Sequence, residues 1–553
     1  MHKNYFIVFL SVFTLTFLPS DSLARRKSKE QPVSGLRTEP KLVVGIIVDQ
    51  MRYDYITRFW NHYGEGGFKR LVNEGFNCRN NHYNYAPTST GPGHTSVYTG
   101  TTPAMHGIIG NNWYDKATET SVYCAGDPDY ESVGTTSDAG KMSPHRMTVT
   151  TITDELRLHT QMRGKTIAVA LKDRGAVLPG GHTANAAYWF SDGAWITSSY
   201  YMDKLPLWVE KFNAEKSVDA YKKPWKTLKN INEYVESAAD YNTYEGKFKG
   251  EESPVFPHDV PALWDNNGKY EMLKATPFGN SMTTDFALAA LDAEALGADE
   301  ITDFLALSFS STDYVGHKFG VASKEVQDTY LRLDRDLERL FKELDRKVGK
   351  GEYTVFLSAD HAAIEVPSYL KDQKIPADYV SWDAMKNDFA QFLEFNYGTT
   401  DIVKNFSNYQ YFLDHDIINN LDLSVQEVQE AIAKEVLGYE GIDRTYTAYQ
   451  MWQNDYTHGI PYILQNGYNQ KRSGDVLVVL APGTISYQKT GSTHGSPQIY
   501  DTHVPLLFYG AGIKQGSTVE RTEIDDIAPT IAALLGVSFP SGTTGSPITQ
   551  VLQ

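Results

Sequence analysis

Short apolar runs of strand length, each closed by a polar or charged residue, constrain this chain more than any other feature. Leu42–Val48, Thr166–Leu171, Phe304–Phe309 and Tyr353–Leu357 are almost continuously apolar instead of alternating with polar residues. A strand of that kind is buried on both faces, as in a parallel sheet covered by helices on each side. Between the runs the period changes. Val326, Tyr330, Leu333, Leu337, Leu340 and Leu344 recur at helical spacing and predict a helix over 323–348 with Ser323 as its N-cap. Further helices are expected over 281–297 and 525–536, and the runs Asp475–Leu480 and Val504–Tyr509 read as later strands of the same sheet. The alternation places the chain in the α/β class, with three α/β/α layers around a largely parallel central sheet.

At 553 residues the chain is too long for one compact core without insertions. The core is expected over 41–194, 281–365 and 474–553. Two stretches rich in aromatic residues, 195–280 and 366–473, read as insertions because no clear strand alternates in the first and only helical parts near 423–436 stand out in the second. Residues 1–24 have the build of a signal peptide: Lys3, the apolar Tyr5–Leu18, then Ser22-Leu23-Ala24 at the cleavage positions. Residues 25–40 follow as a polar, flexible lead-in. The expectation is therefore a periplasmic or secreted protein without a membrane anchor, since no cysteine marks the cleavage junction and no later stretch is apolar enough to span a bilayer. In an oxidising compartment the only two cysteines, Cys78 and Cys124, are expected to pair. A net charge of −17 rules out holding nucleic acid by the general field of the protein. It also makes any cation placed near a phosphate more significant.

The polar residues that close the strands carry the chemistry. Asp49, Asp313, His317, Asp360, His361 and His494 all lie at or just after a strand end or in a glycine-bearing loop, where ligands of open α/β sheets bind. One such Asp alone would read as a turn or helix cap. Six together suit two divalent metal ions with three protein ligands each, leaving positions open for substrate. The four-residue spacing of Asp313 and His317 could place both on one helix face, but the intervening Tyr314-Val315-Gly316 favours a loop or a single turn there. The segment Thr88-Ser89-Thr90-Gly91-Pro92 reads as a loop entering a helix. A hydroxyl at a helix start faces free N–H groups and the positive dipole end, where a phosphate binds well. Chemistry alone does not separate the three hydroxyls. Asn111 can donate to a phosphate oxygen, and Lys172 with Arg174 could grip a phosphoryl group from a strand end.

This set resembles the alkaline phosphatase superfamily, most of all the PafA-type periplasmic alkaline phosphatases of flavobacteria, relatives of the nucleotide pyrophosphatase/phosphodiesterases. The resemblance runs over almost the whole chain after residue 40, less securely in the two insertions. It implies an alkaline-phosphatase-like fold and two Zn2+ per chain, one on Asp49, Asp360 and His361 and the other on Asp313, His317 and His494. The family nucleophile is a Thr two residues before a Pro, which selects Thr90 over Thr88 and Ser89. The family's phosphate-binding Asn corresponds to Asn111. A Lys and Arg holding the nonbridging phosphoryl oxygens mark the monoesterases, and here they are Lys172 and Arg174; phosphodiesterase relatives lack the pair. Sulfatases use a modified Cys in C-x-P-x-R, and this chain has Thr90-Gly91-Pro92-Gly93-His94 instead. The resemblance thus implies hydrolysis of small-molecule phosphate monoesters through a phosphothreonine, by a monomer with no nucleic-acid partner. A diesterase or phosphonate-ester hydrolase on the same scaffold is the main rival, and an inactive zinc-binding exported protein is the rival of another class.

Overall fold

The computed structural model describes residues 39–553, so the expected signal peptide and nearly all of the lead-in lie outside the described residues. In chain order the strands that matter here are β1 (Leu42–Val48), β2 (Phe76–His82), β3 (Ser132–Val133), β4 (Thr166–Ala170), β5 (Ala186–Ser191), β6 (Ala194–Ser198), β7 (Asp303–Phe309), β8 (Tyr353–Ser358), β9 (Val403–Ser407), β10 (Gln410–Leu413), β11 (Ile442–Thr447), β12 (Val476–Leu480), β13 (Leu506–Gly510) and β14 (Gly516–Glu523). Ten of them form one sheet in the order β14-β2-β13-β8-β1-β7-β4-β5-β6-β3.

Its centre, β8-β1-β7-β4-β5, is parallel throughout. The flanks turn antiparallel at β13 and β6, so the sheet as a whole is mixed. Every residue of β1, β4, β7 and β8 is buried, as the continuous apolar runs require. Register aligns the strand ends: Val48 lies opposite Phe309, Ile47 opposite Ser358, and Ala170 opposite Ser308. The residues just past these positions therefore emerge together on one edge of the sheet.

Helices α1 (Thr90–Thr99), α2 (Asp173–Gly180), α3 (Phe278–Ala293), α4 (Ser311–Phe319), α5 (Lys324–Leu344), α6 (Val425–Leu437) and α7 (Ile527–Leu535) include those read from the pattern. Ser323 caps α5, its hydroxyl accepting from the Val326 N–H at 3.1 Å. The α5 stripe Val326, Tyr330, Leu333, Leu337, Leu340 and Leu344 is buried against the sheet core. Each such side chain contributes about 1.5–3 kcal/mol through burial.

Three expectations need correction. β12 does not rejoin the central sheet; it is an inner strand of a second sheet, β9-β10-β12-β11, over a separate small core that includes Ile418, Ile432 and Val436. That strand is apolar because two neighbours and a helix cover it, so its composition matches a core strand. β6, from its second residue on, lies in the stretch read as the first insertion yet belongs to the central sheet. The rest of that stretch, through Trp225, Tyr234 and Phe248, is buried in the main core and does not form a core of its own. Cys78 and Cys124 are both free and buried. Cys78 sits within β2 while Cys124 packs beside Gly91 of α1, and burial pushes each thiol up to about 12.

Candidate metal and phosphoryl-binding site

The aligned edge of the central sheet gathers the residues singled out in the sequence. Asp49 follows β1, Lys172 and Arg174 follow β4, and Asp360 with His361 follows β8. Asp313 and His317 lie in α4, a helix of nine residues where a loop or single turn was favoured, so the alternative holds and their four-residue spacing puts both on one face. Gly316 does not break this helix, because its missing side chain makes room for Gln50: a Cβ there would lie 1.9 Å from Gln50 Oε1.

Two groups of potential ligands form, Asp313 with His317 and His494, and Asp49 with Asp360 and His361, the ligand atoms within each group lying within 4.8 Å of one another. His361 Nε2 stands 3.5 Å from both Asp49 Oδ1 and Asp360 Oδ2. All three of these atoms are buried and have no hydrogen-bond partner among the described residues. Buried polar atoms left unpaired are costly, and a divalent cation among them would remove that cost. In the other group His317 Nε2 lies 3.1 Å and His494 Nε2 3.9 Å from Asp313 Oδ1.

The imidazoles are oriented as ligands. His317 Nδ1 meets the Ser492 carbonyl at 2.8 Å, His494 Nδ1 the Thr88 carbonyl at 2.7 Å, and His361 Nδ1 the Ala362 carbonyl at 3.1 Å. A carbonyl can only accept, so each Nδ1 carries a proton, which leaves Nε2 as the lone-pair position whenever the ring is neutral. Burial pushes His361 down to about 3 and, with His361 and His317 nearby, holds His494 well below its ordinary value. Both rings are thus neutral, as a metal ligand must be.

The carboxylates tell the same story. Burial, then the charges of Asp313 and Asp360, hold Asp49 well above the usual carboxylate range. Burial also raises Asp360, to about 6, against the pull of Lys172. Asp313 is held well below the usual range: burial opposes this, but His317 and Lys172 outweigh it. The Lys172 ammonium, 3% exposed, donates to Asp49 Oδ2 at 2.5 Å and Asp313 Oδ2 at 2.6 Å and rests 5.0 Å from the Tyr314 ring centre. Two buried carboxylates meet this one ammonium and Asp360 lies near them, so the pocket holds more carboxylates than its own cation can pair.

Thr90 is the first residue of α1 and is 1% exposed. The N–H groups of a helix's first turn have no partner within the helix. One of them, Gly91 N–H, donates to Asn111 Oδ1 at 2.7 Å, which fixes Asn111 beside Thr90. The Thr88 hydroxyl leans toward the Ser496 carbonyl at 3.5 Å. Arg174, in the first turn of α2, donates through Nη1 to the Tyr123 hydroxyl at 3.1 Å, and that hydroxyl in turn donates to Asp173. Arg174 Nε is buried without a hydrogen-bond partner among the described residues.

Two further residues belong to the site and carry no sequence signal. Gln50 and Tyr123 hold Asp313 and Arg174 from positions that no spacing rule marks. His94 bridges the Thr90 carbonyl at 2.9 Å and the Ser308 hydroxyl at 2.8 Å, and burial keeps it neutral, near 4. The aspartates, histidines and cations read from the sequence come together here.

Residues 43–504 match the model of the type I phosphodiesterase / nucleotide pyrophosphatase family. The chain belongs to that family. Within it, the chain is similar to alkaline phosphatase PafA of Elizabethkingia meningoseptica, 44% identical over 93% of this chain and 94% of that one. The crystal structure of wild-type PafA superimposes with a TM-score of 0.90 at 43% identity, covering 93% of this chain and 99% of the other. A PafA variant substituted at one Thr, one Asn, one Lys and one Arg superimposes with a TM-score of 0.89 at 42% identity, covering 93% of this chain and 99% of that one. A Myroides odoratus protein named as a calcium-transporting ATPase is 46% identical over 93% of this chain and 95% of its own length. Among the described residues of this family member, no helix is long and apolar enough to cross a membrane.

Proposed function

We propose that this chain is an alkaline phosphatase that hydrolyses small-molecule phosphate monoesters to an alcohol and inorganic phosphate at a two-zinc site. The observation that carries the reading is the buried, unpartnered set Asp49 Oδ1, Asp360 Oδ2 and His361 Nε2 beside the start of α1. Zinc held by Asp49, Asp360 and His361, and by Asp313, His317 and His494, would lower the pKa of the nucleophilic hydroxyl and offset charge on the leaving oxygen.

The Thr90 oxygen attacks phosphorus, giving up its hydroxyl proton, while the bond from phosphorus to the ester oxygen breaks. The alcohol leaves with a proton from solvent, and Thr90 becomes phosphothreonine. Water then attacks phosphorus, the bond to Thr90 breaks, phosphate departs and the Thr90 hydroxyl is restored. Asn111, Lys172 and Arg174 hold the nonbridging oxygens through both steps, so positioning and electrostatics supply most of the acceleration. The substituted Thr, Asn, Lys and Arg of the PafA variant support this choice of four residues. The protein is exported to the periplasm or beyond, acts as a monomer, and binds no nucleic acid.

Rates on matched aryl monoester and diester substrates, measured together with zinc content, test the proposal. A strong monoester preference with two zinc ions per chain is expected. Equal or faster diester turnover would overturn the monoesterase reading, and zinc without any phosphatase activity would favour an inactive binding protein.

A further inference from the structure

Gln50, like Lys172, touches a ligand of each candidate metal group through its own polar atoms, but it does so from two separate donors, one on the backbone and one on the side chain. Its backbone N–H donates to Asp360 Oδ1 at 3.1 Å, and its side-chain Nε2 donates to Asp313 Oδ1 at 2.7 Å. The side chain is buried, and the backbone is held at a φ of 63°. A non-glycine residue rarely adopts that left-handed conformation, and where one is kept the surrounding structure enforces it.

The enforcement comes from both sides. Asp49, one residue earlier, is fixed at the end of β1 by its N–H bond to the Phe309 carbonyl at 3.0 Å. Gly316, between the two α4 ligands, leaves the space that Gln50 Oε1 fills. A carboxylate facing the amide must receive a donor, so chemistry sets Nε2 toward Asp313 and Oε1 toward Gly316. With Asp360 Oδ1 engaged by the Gln50 N–H, Oδ2 is the oxygen left facing Asp49 Oδ1 and His361 Nε2.

We infer that Gln50 is a positioning residue that couples the two metal groups, setting the orientation of one carboxylate in each. The inference rests on the two-metal reading above. Hydrogen-bond partners that orient metal ligands typically change affinity by about 10- to 100-fold when removed. Gln50 differs from such a partner in serving two groups at once, so its loss is felt at both.

The test is a titration of the metal-stripped full chain with zinc alone, competed against a chromophoric chelator, for wild type and Gln50→Met. Methionine keeps the length and bulk of the side chain and the backbone N–H, but removes the side-chain amide hydrogen bond that anchors the left-handed backbone, so the N–H is no longer held on Asp360. Two zinc ions per wild-type chain are expected, with affinity at both sites weakened about 10- to 100-fold in the variant at unchanged circular dichroism. Unchanged affinities, or weakening at the Asp313 group alone, would overturn the coupling role, even if the melting temperature fell. A wild-type chain that binds fewer than two zinc ions would overturn the two-metal reading and the inference with it. Should Gln50→Met fail to fold, Gln50→Asn keeps the amide chemistry but cannot reach Asp313, and the same loss at both sites is expected.

Discussion

Gly93 lies one turn into α1 after Thr90, where the helix runs against the strand end that carries Asp360. A Cβ at this position would stand 2.3 Å from the Asp360 carbonyl oxygen, 2.7 Å from Asp360 Cβ and 2.9 Å from its carbonyl carbon. Ordinary contacts of a Cβ begin near 3.4 Å. Two of the three obstructing atoms are backbone, so no rotamer change relieves the clash. Gly93→Ala must separate α1 from Asp360 by about 1 Å, and this moves the proposed nucleophile away from a proposed metal ligand. A displacement of about 1 Å costs roughly 100-fold in rate, or about 2.7 kcal/mol of activation free energy. Overpacking of this kind also costs about 1–3 kcal/mol of stability. The assay is kcat/KM on an aryl phosphate at saturating zinc, alongside a thermal melt. Gly175→Ala in α2 is the control, since its Cβ meets its neighbours at 3.2–3.4 Å, where shifts of a few tenths of an ångström suffice, and a loss of less than about tenfold is expected for overpacking this mild. A Gly93→Ala enzyme within twofold of wild type would refute the claim that α1 and the Asp360 loop are held in fixed, functional contact.

Replacing Lys172 and Arg174 together by Ala should damage monoester hydrolysis far more than diester hydrolysis, measured as kcat/KM on matched substrates; equal damage would sink their role as the monoester signature. Tyr123→Phe removes the hydroxyl that receives Arg174 Nη1 and donates to Asp173, and a loss of roughly tenfold in kcat/KM is expected for one bond to a charged group. Stability should fall as pH rises from 6.5 toward 10. Burial lowers the pKa of His258, but its bonds to Glu251 and Glu325 outweigh this and raise it to about 9, while burial and then Glu325 raise Glu245 to about 10. Both groups hold a proton in the fold that the unfolded chain releases at lower pH, so their contribution is largest at low pH and disappears as the folded pKa values are passed. Melting temperatures at pH 7 and 9.5 check the slope, and Glu245→Gln should flatten it.

The central strands could be read from the sequence because burial on both faces leaves an unbroken apolar run, and the residues after Val48, Ala170, Phe309 and Ser358 were legible as site candidates for the same reason. β12 defeated that reasoning, since an inner strand of a smaller sheet is buried in the same way. The helix under Asp313 and His317 was the less favoured reading because Tyr314-Val315-Gly316 suits a turn, whereas Gly316 in the fold leaves room for Gln50. The first aromatic-rich stretch carries no periodicity, because its Trp and Tyr side chains are buried singly into an existing core and do not build a face of their own. Gln50 and Tyr123 become visible only once tertiary contacts bring them beside Asp313 and Arg174. Cysteine count predicted a disulfide, but pairing depends on proximity, which composition does not encode.

The covalent step is the most direct point of test. Enzyme quenched in acid during turnover of a phosphate monoester, digested and examined by mass spectrometry, should carry one phosphoryl group on Thr90, and Thr90→Ala should carry none and turn over no substrate while keeping its zinc. A phosphoryl group on Thr88 or Ser89, or a Thr90→Ala enzyme with near-wild-type rates, would contradict the account.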